Sequence, residues 1–167
     1  IGKTPPEVKY FSYRSYLCNR YFPIEGKVRR IFASLGDTLS NFTINTSGTP
    51  DDPFEKETII ISTADRGIDS RIREVLKQTG YSPDIINTDI IPHSLVKMGL
   101  KEEDDTFIFM HRIALFADEA KGEQYLQSNP GIVWRLTPKT SVLTDPFPIP
   151  PLLVRGTGDT SELDLMG

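Results

Sequence analysis

One run constrains the fold of this chain more than any other. Residues 57–138 change between strand and helix periodicity in the order strand, helix, strand, strand, helix, strand. Residues 58–63 (Thr-Ile-Ile-Ile-Ser-Thr) are a continuous β-branched and apolar run, suited to a strand covered on both faces. Asp65 follows, with a carboxylate able to accept from the free N–H groups of a first helical turn. Ile68, Ile72, Val75, Leu76 and Thr79 then form one stripe, and Asp69 and Arg73 are spaced to pair four residues apart. Gly80 stands where a left-handed residue closes a helix.

Ser82-Pro83 begins a short turn ahead of a strand over residues 85–91, which Pro92 ends. Residues 92–100 read as a further helical turn and residues 102–105 as a solvated acidic loop. Residues 106–116 are the strongest strand, apolar on both faces and therefore central. Asp118 caps a second helix that ends near Asn129-Pro130, and residues 132–136 (Ile-Val-Trp-Arg-Leu) read as a closing strand.

This is the order of a split β-α-β unit. Each helix stripe must be buried on the sheet, and right-handed crossovers put both helices on one face. The expected class is α+β, with a ferredoxin-like four-stranded antiparallel core at residues 57–138. One domain of residues 1–167 is expected, because residues 1–46 are small for an independent core.

The flanking segments complete the expectation. Residues 8–17 and 28–34 alternate as strands, and Thr43, Ile44 and Thr46 favour a hairpin return over a helix for residues 38–46. Residues 47–54 have linker composition. Beyond Pro138 the run Pro146-Phe147-Pro148-Ile149-Pro150-Pro151 favours an extended polyproline II segment, and residues 139–167 are expected to wrap their own domain. An edge strand is expected at residues 152–155, a turn at 156–158 and an acidic tail at 159–167.

Charge and composition exclude some functions. The formal net charge of −4 argues against nucleic acid as the main partner, since duplex binding needs a concentrated basic surface. No apolar run approaches the ~20 residues of a membrane span. A single cysteine, Cys18, excludes an internal disulfide. The first residue is Ile1, and Asn41-Phe42-Thr43 and Asn45-Thr46-Ser47 match the glycosylation acceptor pattern. The non-methionine start fits either removal of a targeting segment or an excised fragment, and with the acceptor sites it leans toward an exported or organelle-targeted chain.

Candidate chemistry is sparse. His111 stands in mid-strand among Phe107, Phe109, Ile113 and Leu115, where a neutral imidazole facing a cavity could serve as a base or bind a metal or haem iron, though a core histidine satisfied by one hydrogen bond is the plainer reading. Arg112 and Arg135 lie in apolar strands and would need a carboxylate or an anionic ligand, with Asp65, Asp89 and Asp105 near strand ends as partners. The loop from Thr63 to Gly67 leads into a helix N-terminus, but its one glycine and capping aspartate exclude a phosphate cradle. No metal-ligand spacing, catalytic elbow or cofactor loop is present, so no cofactor is assigned.

Tyr10, Tyr13 and Tyr16 line the first strand, and Phe147 sits within the proline-rich segment. Such amphipathic rings suit an interface. The leading expectation is a non-catalytic interaction or assembly protein, an accessory subunit or homo-oligomer. The alternative is a small-molecule-binding or enzymatic domain of the dimeric α+β barrel type, with its pocket near His111.

Overall fold

The computed structural model describes residues 1–137 and 145–148. The chain is mixed α+β, with seven strands and two helices among the described residues: β1 (Gly2–Lys3), β2 (Val8–Phe22), β3 (Lys27–Ser34), β4 (Leu39–Ser40), β5 (Glu57–Thr63), α1 (Arg66–Gln78), β6 (Ile86–Ile90), β7 (Thr106–Phe116) and α2 (Glu119–Gln127). Single 3-10 turns at Pro83–Ile85 and His93–Leu95 join them.

The strands form two sheets. One has the order β1-β5-β6, with β1 antiparallel and β6 parallel to β5. The other is built on β2, which takes β7 along one edge and β3 and β4 along the other, all antiparallel. Cys18 has no counterpart on β7, a bulge that shifts the register between Leu17 and Asn19.

The expected single four-stranded sheet is corrected here. β5 and β6 are direct neighbours, whereas a split unit leaves room for a strand between them. β7 joins β2, and among the described residues 132–136 form no strand; only Gly131 bridges Gly2. The reason lies in strand length. β7 spans eleven residues whose N–H and C=O groups need partners. β5 and β6, at seven and five residues, are too short to serve them, but the fifteen-residue β2 pairs with β7 from Val8 to Asn19. The expected central strand is β2 instead, buried from Phe11 to Leu17 on both faces.

Local signals explain the helices. The Asp65 carboxylate accepts from the Ile68 N–H at 2.8 Å, and Gly80 closes the helix with φ +96°. Ile72 and Leu76 pack on Ile59, Ile61, Ile85 and Ile86, so the other face of β5 is left for β2. Val75 is exposed, so the stripe is narrower than its spacing predicts. In α2, Asp118 caps Lys121, and Asn129 takes the left-handed closing position at φ +54°.

A second cluster joins the sheets. Val8, Phe11, Tyr13 and Ile44 are its buried members, packed by Ile60 of β5 and by Ile113 and Phe116 of β7. Hairpin return at residues 38–46 reduces to β4 and a turn in which the Ile44 N–H donates to the Ser40 carbonyl. Residues 145–148 dock on the β5–α1 corner. The edge strand, turn and tail expected at residues 152–167 lie outside the described residues.

Candidate functional site

Four places concentrate chemistry: a buried ion pair between the sheets, an aromatic cluster round His111, the β5–α1 corner, and the edge of β1.

β5 and β6 alternate, so Ser62, Asn87 and Asp89 point away from α1 and toward β2. Asp89 is completely buried. Its carboxylate accepts from the Arg14 guanidinium at 2.6 Å, the Ser15 N–H at 3.1 Å, the Ser15 hydroxyl at 2.5 Å and the Ser62 hydroxyl at 2.8 Å. Arg14 donates also to the Ile90 carbonyl at 2.8 Å, and its side chain is 5% exposed. Burial pushes its guanidinium below the ordinary range, against the opposing pull of Asp89 and Asp37. Beside it, Asn87 ties β6 to the loop through the Asn45 N–H at 2.8 Å.

A second ion pair holds the β2–β7 end. Arg20 clasps Asp105 with bonds of 2.9 and 2.6 Å, and the Lys97 N–H adds a third at 2.8 Å. Burial raises the Asp105 carboxyl, but these donors outweigh it and leave it below the usual carboxylate range.

The Arg14–Asp89 pair fulfils the expected demand of buried arginine for carboxylate, with a different arginine, and the half-buried Arg20 does the same at the sheet end. Arg112 is exposed, its guanidinium 5.1 Å from the centre of the Tyr16 ring, and Arg135 is exposed in the segment after Gly131. The structure does not bring Arg112 and Arg135 together on neighbouring strands. Asp89 and Asp105 do bind arginines, but Asp65 serves backbone N–H groups. Arg14 sits among tyrosines and serines on a strand that reads as half-exposed, and Arg20 lies beyond the residue 17 at which that strand is expected to end, so neither stands out in the sequence.

His111 lies across from Tyr13 in the β2–β7 register, and its ring stacks on Tyr13 with centroids 4.2 Å apart. Phe11 and Tyr125 meet it edge-on at 6.5 and 6.2 Å. Burial lowers the imidazole pKa to about 4, so it is neutral at physiological pH. Its Nε2 is buried without a hydrogen-bond partner among the described residues. Burial also raises the Tyr13 hydroxyl, with Tyr125 adding to the shift, while the Tyr125 hydroxyl donates to the Lys3 carbonyl at 2.8 Å.

Tyr13 and Tyr16 are buried, so their contact area is used inside the chain. Tyr16 stacks on Phe32 at 5.3 Å. Tyr10 is half-buried, its hydroxyl 3.5 Å from that of Thr38. Asn45 is exposed, whereas the half-buried Asn41 accepts from the Phe11 N–H at 3.4 Å.

The larger groove, about 840 Å³, runs between β1, β5 and α2; Lys3, Glu57, Tyr81, Lys121 and Tyr125 are among its walls. A smaller one of about 530 Å³ lies by the β2–β3 turn. His111 walls neither of these two grooves.

The groove's rim continues along residues 130–132. Lys3 donates to the Pro130 carbonyl at 2.9 Å, and Ile1 and Ile132 exchange bonds of 3.1 and 2.8 Å. Gly2 is required there, since a Cβ would lie 2.5 Å from the Pro130 carbonyl oxygen. Past this short ladder the chain turns outward. Ile132, Val133, Trp134 and Leu136 are 61, 85, 65 and 64% exposed. No helix among the described residues is long and apolar enough to cross a membrane. No protein-family model, curated protein or solved structure matches this chain.

Proposed function

We propose that the protein is a non-catalytic interaction or assembly module that docks a protein partner on the strip formed by Ile132, Val133, Trp134 and Leu136. The exposure of all four carries the reading. Isolated surface apolar residues are common, but four exposed apolar residues within five positions, the chain's one tryptophan among them, are not an ordinary solvated surface. Aromatic anchors of this type concentrate binding energy at interfaces.

Burying four such side chains returns about 6–12 kcal/mol. Association costs ~4–15 kcal/mol, so the strip needs a second source of affinity. Backbone N–H and C=O groups of residues 133–136, which make no strand pairing among the described residues, offer one through β-strand addition.

Native mass spectrometry on protein from its own source tests this, with Trp134 emission as the reporter. Docking is expected to raise the mass above the monomer and shift the emission to the blue. Val133→Asp, at a fully solvated position, reverses both. A wild-type chain that stays monomeric, with the emission of the Val133→Asp variant, overturns the reading.

A further inference from the structure

The β5–α1 corner holds an extended peptide. Asp145 donates its N–H to the second carboxylate oxygen of Asp65 at 2.5 Å, and its carbonyl accepts from the Arg66 N–H at 2.8 Å. Its side chain accepts from the Arg66 guanidinium at 2.6 and 3.2 Å. Pro146 bridges Asp65 in antiparallel fashion, and the Phe147 N–H donates to the Ala64 carbonyl at 3.1 Å.

Every corner atom in this set is spare. Asp65 caps α1 with one oxygen and offers the other. Arg66 opens the helix, so no carbonyl within α1 accepts its N–H. Proline sits opposite Asp65, where no N–H is used, and its fixed φ lowers the entropy lost on docking. Ala64 and Asp65 follow the carboxyl end of β5, beside the parallel β6. Arg66 and Asp145 are each about half exposed, so the segment can leave without opening the core.

The geometry points to a peptide-binding site at residues 64–67 that reads an extended Asp-Pro-Phe segment. The chain's own residues 145–147 occupy it in cis, and a partner peptide with the same acidic residue followed by proline competes for it. The acidic position is read by Arg66, the proline by the missing donor, and the next N–H by the Ala64 carbonyl. Because the cis segment is tethered, it holds the site at high effective concentration and masks it from weak competitors. This site is independent of the Trp134 strip.

The test uses a labelled peptide of the sequence of residues 143–149, followed by fluorescence anisotropy with the full chain. The double variant Asp145→Pro/Phe147→Pro, which removes both N–H donors and the carboxylate of the cis occupant, is expected to bind it at least ten-fold tighter than wild type. Adding Arg66→Ala should cost at least ten-fold, as should an Asn in place of the aspartate in the peptide. Equal binding by wild type and the double variant overturns the proposal, as does indifference to Arg66→Ala. If the double variant does not fold, backbone amide chemical shifts of wild type titrated with the peptide decide. Shifts at Ala64 to Gly67 support the site, and their absence at saturating peptide overturns it.

Discussion

Replacing Asp89 by asparagine keeps the shape of the side chain and removes its charge. The carboxylate takes four hydrogen bonds and is the charge partner of Arg14, with side-chain exposures of 0% and 5%. After the change the Arg14 cation stays buried, bonded to the Ile90 carbonyl, with the Asp37 carboxylate as its remaining counter-charge. Removing one partner of such a pair costs about 3–5 kcal/mol, chiefly the desolvation of the charge left behind. For a chain of this size that lowers the melting temperature by roughly 6–20 °C, at ~2–4 °C per kcal/mol. Urea unfolding, followed by far-ultraviolet circular dichroism, measures it directly. A control separates charge from packing: Arg14→Met/Asp89→Leu removes both charges and should lose less than Asp89→Asn alone. If Asp89→Asn falls within about 1 kcal/mol of wild type, or the double variant is the worse, the ion pair does not hold the sheets together.

Two further perturbations follow from the geometry. His111 is held near pKa 4 in the fold against 6.5 when unfolded, so the unfolded chain takes up the proton first, and stability is lost as pH falls from 6.5 toward 4. The full shift implies ~2 kcal/mol between pH 7 and 5; halved because the ring is only partly buried, it is about 1 kcal/mol, seen as a lower urea midpoint that His111→Phe should abolish. Gly122→Ala would ordinarily stabilise a helix by ~1 kcal/mol. Here the new Cβ would lie 2.5 Å from the Phe116 ring, so a net loss of about 1–3 kcal/mol is expected in thermal unfolding, and a gain would show that the ring gives way freely.

The elements were legible because their signals are local. Asp65, the Ile72 and Leu76 stripe and Gly80 bound α1, and Ser82-Pro83 opens a 3-10 turn as its capping pattern predicts. The limits of β5, β6 and β7 follow from β-branched runs that turn residues interrupt. The run of residues 132–136 misled for the same reason. Its composition is that of a strand, but a strand exists only where another backbone lies alongside, and past Ile132 no described residue does.

The candidate sites were harder to foresee. His111 was visible as a histidine in an apolar strand, but its neighbour Tyr13 arrives from nearly a hundred residues away. Asp89 and Asp105 were recognisable as strand-end carboxylates; which arginines they bind depends on β2 lying against β6 and β7. The corner at Asp65 read only as a helix cap, since Asp145 reaches it from eighty residues downstream. Thus the sequence by itself determined where the chain turns helical or extended, through contacts of a few residues' reach. Tertiary structure alone decided which strands pair, which tyrosines are buried and which charges meet. Those outcomes depend on matching strand lengths and on desolvated charges finding partners, neither of which is encoded in any short window.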